Sequence, residues 1–204
     1  MKEKGDVVTN IISGEVIDLF KEYAEIGVHI LDRSGVVNNI PLVNTFFTLF
    51  KVSSSVRENF FREKLIRFLS ELSNTPEKER IEMIKKLNED DKFAGRTGEH
   101  ILDIIEKLDF EKKPEIAAKL FIAFAEKRLS YNEFRHAIIA LEKIAAFDID
   151  KLKDFSDSNG KIKGLPQSVV LGFVNASLAF SPPADFGEPG YFPTELCKKF
   201  VTIL

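Results

Sequence analysis

Three histidines, His29, His100 and His136, and one cysteine, Cys197, are the side chains with the plainest capacity for chemistry. Two histidines one helical turn apart can share a metal ion, but no pair here has that spacing. Glu133-Phe134-Arg135-His136 supplies one Glu-x-x-His element. A carboxylate-bridged metal pair in a helical bundle needs two such elements and two further helix glutamates. There is no second copy, and Ser130-Tyr131-Asn132-Glu133 reads as a capping box that already uses Glu133 at a helix start. Around residue 157, Asp157, Asn159, Gly160 and Ile162 fall at offsets found in calcium loops. The first and last ligand positions would then be Phe155 and Pro166, where an acidic ligand and a bidentate glutamate are required. The segment is a turn. Cys197, between Leu196 and Lys198, has no histidine in a traceable pattern with it and is read as a small buried hydrophobe. The eleven glycines are scattered and form no phosphate-cradling loop. No catalytic residue, metal ligand or cofactor is expected, and no small-molecule substrate follows from the pattern.

Arg96-Thr97-Gly98-Glu99-His100 is similar to the Arg and His pair of helical ribonucleases of the HEPN type. The separation is one residue shorter than that family's pattern, and an expected helix start lies between the two. The pair is therefore read as an exposed first turn.

The elements that would have to position a site are helical for most of the chain. At 204 residues, with 44% hydrophobic and 30% charged side chains, the sequence can bury a core. A net charge of −3 gives no global attraction to polyanions. One cysteine allows no intrachain disulfide, and the charged start Met1-Lys2-Glu3-Lys4-Gly5-Asp6 leads into no signal-peptide core, so a cytoplasmic location is expected. The nearest approach to a membrane span, Ser34 to Phe50, carries no charge but contains Asn38, Asn39 and Asn44 and is shorter than the ~20 apolar residues required. The aromatic residues are 19 Phe and three Tyr with no Trp, a bias toward core rather than recognition surface.

Apolar spacing predicts a first helix through Ile12, Val16, Leu19, Phe20, Tyr23, Gly27 and Ile30, ended near Gly35. Pro41 opens a second through Leu42, Phe46 and Phe50, and Ser53-Ser54-Ser55 marks a break. A stripe of Phe61, Leu65, Phe68, Leu69 and Leu72 follows, with Arg57, Arg62, Glu63, Lys64 and Arg67 around it. Thr75-Pro76 reads as a cap and first helical residue, before Ile81, Ile84 and Leu87. Further helices start near Thr97 and behind Ser130, and Ile116 to Ala125 is apolar on nearly every side. Beyond Ala146 the texture changes. Five of the eight prolines lie past Leu165, and the tail reads as a helix from Pro166 to Ala176, two short extended pieces around a loop, and a last helix capped by Thr194. We therefore expect a mainly α protein: a multi-helix bundle over residues 1–147 and a small module over 148–204.

Phe173-Val174-Asn175-Ala176-Ser177-Leu178-Ala179-Phe180, followed by Tyr191 to Phe200, resembles the end of a winged-helix domain, with Ser177 and Cys197 where that family has glycines. The resemblance implies DNA binding through the helix from Pro166 to Ala176. That helix contains no Lys or Arg to meet phosphates or guanine edges, and only Lys161 and Lys163 precede it. Nucleic acid is thus not the expected partner. Ile40-Pro41-Leu42-Val43-Asn44 before a Phe-rich helix and a Lys/Glu-rich bundle is similar to uncharacterised helical proteins of bacteria.

The expected function is a non-enzymatic helical interaction protein that associates with itself or with a protein partner. The contact residues are Ile40, Leu42, Phe46, Phe47 and Phe50, because the Phe-rich segment 36–50 offers more apolar surface than a small bundle needs. The first alternative is a membrane-associating effector of a bacterial defence system using the same residues as an inserting face. The second is a DNA-binding regulator working through Lys161 and Lys163.

Overall fold

The computed structural model describes residues 2–26, 40–51, 55–91, 93, 95–109, 112–158, 164–183 and 190–204. Eleven α-helices lie among the described residues, so the chain is mainly α. They fall into two compact units, Met1–Arg128 and Leu129–Leu204.

The first unit begins with α1 (Lys2–Ser13), which buries Val7, Val8, Ile11 and Ile12. Gly14 is extended (φ −112°, ψ 165°) and ends that helix. A short 3-10 turn (Glu15–Asp18) leads into α2 (Leu19–Ile26). The single first helix expected from Ile12 onward is thus two helices and a turn, and its continuation through Gly27 and Ile30 lies outside the described residues. The helical spacing runs on through Gly14, but an extended glycine breaks it.

Pro41 occupies the first turn of α3 (Pro41–Leu49), as its fixed φ favours. Ser55 caps α4 (Val56–Leu72), its hydroxyl accepting from the Glu58 amide at 3.4 Å. In α4, Leu65, Phe68, Leu69 and Leu72 of the stripe read from the sequence are fully buried, while Phe61 at its start is half-buried. Helix α5 (Glu77–Glu89) starts one residue later than expected: Pro76 holds the cap position and Thr75 makes no side-chain cap. Ile81, expected inside, is exposed, and the inward face is Arg80, Met83, Ile84 and Leu87. Helices α6 (Thr97–Lys107) and α7 (Lys113–Ala125) complete this unit.

Helix α7 buries Ile116, Ala117, Ala118, Leu120, Phe121 and Ala123, the residues of an all-round apolar helix, and packs on α4 and α5. The Phe68 and Phe121 rings meet edge to face at 5.7 Å. Helix α7 ends in a Schellman turn. The Arg128 amide donates to the Ala123 carbonyl and the Lys127 amide to that of Phe124, with Lys127 left-handed at φ 62°.

Helices α1 and α6 cross at two glycines. A Cβ on Gly98 would lie 2.1 Å from the Gly5 carbonyl oxygen, so only glycine permits this approach.

In the second unit, α8 (Tyr131–Lys143) starts with the capping box expected of Ser130 and Glu133. A 3-10 turn (Ala146–Asp148), α9 (Ile149–Asp157) and α10 (Gln167–Asn175) follow. The two extended pieces form an antiparallel pair, β1 (Ala179–Phe180) with β2 (Phe192–Pro193), in the register Ala179–Pro193 and Phe180–Phe192. Thr194 caps α11 (Glu195–Val201), accepting from the Cys197 amide at 3.1 Å. Packing divides the chain at Arg128/Leu129, ahead of the 147/148 break read from composition. The reason is α8. Its buried face of Phe134, Ala137, Ile138 and Leu141 packs with α11 in the second unit.

Candidate functional site

The residues proposed from the Phe-rich segment are mostly interior. Phe46, Phe47 and Phe50 are buried, Leu42 is half-buried, and only Ile40 is exposed. Phe46 meets Phe20 edge to face at 5.0 Å, Phe47 meets Tyr23 at 5.5 Å, and Lys4 Nζ sits 5.2 Å above the Phe50 ring. Burial in this aromatic cluster raises the pKa of Tyr23, with Glu22 adding to the effect. The contact surface assigned to Phe46, Phe47 and Phe50 is therefore corrected to core. Helices α1 and α2, whose arrangement the sequence pattern misread, supply the surfaces that cover them. Lys161 and Lys163 lie outside the described residues.

The described chemistry-bearing residues each have their own local setting, and His29 lies outside the described residues. His136 is exposed on α8, while His100 meets the Phe93 ring edge-on at 5.2 Å. Arg96 pairs with Glu99, three residues on along the same chain segment. Glu133 serves the Ser130 amide at 2.8 Å and also takes Lys199 as an ion-pair partner. The hydrogen bond from Lys199, then those from Ser130, hold its carboxyl down at about 2. Cys197 is fully buried, and desolvation pushes its thiol up to about 11 despite a hydrogen bond with Ser156. A thiol so placed is a poor nucleophile. No group of three or more His, Cys, Asp and Glu able to hold a metal occurs among the described residues.

Three cations that the sequence pattern leaves unremarked or on the surface close helix ends, Arg80 and Lys64 from buried positions and Lys86 from a partly exposed one. Arg80 of α5 donates to the carbonyls of Ile12 (2.8 Å), Gly14 (3.0 Å) and Thr75, closing the C-terminus of α1. Lys64 of α4 donates to Glu106 (2.9 Å) and Leu108 (2.7 Å) at the end of α6. Lys86 of α5 donates to Ala125 at the end of α7 at 3.1 Å. Each replaces the absent next turn and meets the negative end of the helix dipole. Desolvation lowers the pKa of both Lys64 and Arg80. These are structural roles.

Two concavities of the first unit are formed by described residues of its helices and turns. The polar one, of about 390 Å³, lies beside the Gly5–Gly98 crossing and is lined by Lys2, Asp6, Thr9, Asn88, Arg96 and Glu99. The other is a groove of about 420 Å³ between α5 and α7. Met83, Ile122 and Ala125 supply its apolar lining, and Glu79, Glu82 and Glu126 stand among the lining residues with Lys78 and Lys86. Lys86 is directed at the Ala125 carbonyl and at Glu82, 3.8 Å away.

In the second unit, Phe147 is the most exposed large apolar side chain described, at 75%. It lies in the 3-10 turn before α9, and Lys151 Nζ stands 5.8 Å over its ring. Lys151 is fixed by Asp148 at 2.7 Å, a carboxylate only 10% exposed. The ring, ammonium and carboxylate thus form one connected constellation. Leu171 and Phe180 are also exposed here, as Val56 and Phe60 are on α4. Sequence reasoning missed Phe147 because a phenylalanine beside Ile144 and Ile149 reads as core by type alone.

Comparison with protein-family models, with curated proteins and with solved structures found no match for this chain.

Proposed function

We propose that this chain is a helical interaction protein that works by binding protein, either its own copies or another chain, rather than by turning over a substrate. The observation that carries the reading is the retention of large apolar side chains on the surfaces of both units, Val56 and Phe60 in the first and Phe147 in the second. Leaving a Phe side chain in water forgoes roughly 1.5–3 kcal/mol of burial. Lys151 Nζ, paired with Asp148, stands 5.8 Å over the exposed Phe147 ring. The burial of Cys197 with its thiol raised, and the absence of any group of three or more metal-ligating side chains among the described residues, add to the reading.

The test is light scattering of the purified protein across a wide concentration range, together with affinity capture from its native host. Assembly, or one partner retained in fixed proportion, is the expected result. A strict monomer with no partner overturns the proposal.

The alternative of a membrane-associating effector has less support, because Phe46, Phe47 and Phe50 would have to leave the core to insert. No helix among the described residues is long and apolar enough to cross a membrane. Flotation with liposomes separates the two readings. The winged-helix reading of the second unit draws support from the order α10, β1, β2, α11 and from the cap at Thr194. A DNA-binding regulator would present α10, which has no cation to offer phosphate, so we take that module as a protein-binding one.

A further inference from the structure

We propose that two copies of this chain pair about a two-fold axis, the exposed strip of α8 in one copy lying antiparallel against the exposed strip of α9 in the other. The inference rests on the interaction reading above and deepens it by naming the partner, a second copy, and the surfaces that meet.

The two strips differ in charge. On α8 the outward residues Arg135, His136, Ile139 and Lys143 recur at helical spacing and all are exposed, Ile139 at 37%. Arg135, His136 and Lys143 make no ion pair among the described residues. On α9 the outward residues at the same kind of spacing are Asp150, Asp154 and Asp157. Asp150 already has an interaction of its own, whereas Asp154 and Asp157 make no ion pair among the described residues. The ion pairs beside the strips, Glu133 with Lys199 and Asp148 with Lys151, are each neutral in sum and leave the difference in sign untouched. Each copy thus displays basic groups on one strip and acidic groups on the other, and each strip complements the other.

The spacing matches as well as the sign. Back along α8 from Lys143 the strip continues at Ile139 and His136, steps of four and three residues. Forward along α9 from Asp150 it continues at Asp154 and Asp157, again steps of four and three. Each strip therefore runs about 10.5 Å along its helix. An antiparallel register that sets Lys143 against Asp150 also sets His136 against Asp157 and lets Arg135 reach between Asp154 and Asp157. Each strip has one residue of the opposite sign at its edge, Glu142 on α8 and Lys153 on α9. In this register those two fall on the same side and close together, so they match instead of clashing. Only residues 144–148 separate α8 from α9, so a copy that engages one strip brings its own complementary strip beside the other. The contact is then isologous. Its axis passes close to Phe147, and the 75% exposed ring meets its own counterpart.

The experiment uses the full-length chain and two surface variants that leave the core untouched. Arg135→Glu with Lys143→Glu makes both strips acidic, and Asp154→Lys with Asp157→Lys makes both basic. Sedimentation velocity should show the wild type passing from monomer to dimer with concentration and going no further. Added salt should weaken that dimer, because exposed charges are screened. Each variant alone should dimerise about tenfold more weakly or worse, since attraction becomes repulsion at both symmetry-related contacts. Mixing the two variants should restore a one-to-one dimer, with an acidic strip facing a basic one at both contacts. Phe147→Cys in the otherwise unchanged chain should cross-link to its counterpart under mild oxidation, as the natural Cys197 is buried.

Failure of the mixture to dimerise overturns the pairing, as does a wild-type dimer that both reversals leave unchanged. Growth beyond a dimer, or a dimer in which Phe147→Cys does not cross-link, overturns the two-fold arrangement. A wild type that stays monomeric also overturns the proposal, while the broader interaction reading then stands or falls on partner capture alone.

Discussion

Replacing Gly98 with alanine tests the tightest approach in the first unit. The added methyl would lie 2.1 Å from the Gly5 carbonyl oxygen, 2.5 Å from its carbonyl carbon and 2.7 Å from its Cα. All three are backbone atoms, so no side chain can rotate away. A carbon next to a carbonyl oxygen settles at about 3.3 Å or more, so α1 and α6 must separate by about 1.2 Å. Helix α1 buries Val7, Val8, Ile11 and Ile12, and a gap of that size forfeits up to about half of each affected dispersion contact. Overpacking of this kind costs about 1–3 kcal/mol and occasionally more, while alanine returns about 1 kcal/mol of helix propensity. We expect a net loss of about 1–2 kcal/mol, since the clashing Gly5 atoms are backbone and cannot move aside, or a Tm lower by about 3–10 °C for a unit of this size. The matched control is Gly172→Ala in α10, where the added methyl meets nothing within 4 Å beyond its chain neighbours and its own helix backbone. There the same substitution should stabilise by about 0.5–1 kcal/mol. Thermal and guanidinium unfolding followed by far-UV circular dichroism give the magnitudes, and hydrogen exchange assigns the loss to α1 and α6. A Gly98→Ala protein as stable as the wild type would refute the close crossing.

Lys127 and Ser177 both take left-handed φ, 62° and 60°, at helix ends where glycine is unstrained, so Lys127→Gly and Ser177→Gly should each stabilise by up to about 1 kcal/mol in denaturant titrations. Glu133 carries a carboxyl lowered from its ordinary 4.5 to about 2 by Lys199 and Ser130. Its contribution is complete above the unfolded-state value and disappears as pH falls from about 4.5 toward 2. Full linkage would be about 3 kcal/mol, but a side chain one-third exposed is screened by water, and about 1 kcal/mol is the expected size. Glu133→Gln should flatten the acid limb of the stability curve by that amount, and an unchanged limb would remove the ion pair from the account. Cys197, buried with its thiol at about 11, should react with a thiol-specific disulfide reagent only on unfolding. Stoichiometric labelling within seconds under native conditions at pH 8 would contradict its placement.

What the sequence disclosed depended on whether a feature is local. The capping box at Ser130, the cap at Thr194 and the proline start of α3 are set within four residues, and each is found where expected. The two extended pieces of the tail were legible for the same reason. The turn at Gly14 was not, since apolar spacing carries across it and only the backbone angles of one glycine break the helix. The surface assigned to Phe46, Phe47 and Phe50 failed on a non-local fact. A count of apolar residues cannot say that α1 and α2 are there to cover them.

The buried cations expose the same limit from the polar side. Arg62, Lys64 and Arg80 stand among charged neighbours in sequences that read as solvated helix faces, yet all three are buried. For Lys64 and Arg80 the cause is a carbonyl cluster at the end of a helix 42 or more residues away in the chain. Desolvating a cation is costly unless hydrogen bonds replace its water, and the frayed end of a helix offers several acceptors together with a favourable dipole. Helix ends thereby choose their cations through the fold, not through neighbouring sequence. The converse choice leaves Phe147 outside. Its turn sets the ring beside Lys151 rather than covering it, because no helix end or apolar face among the described residues lies over that position.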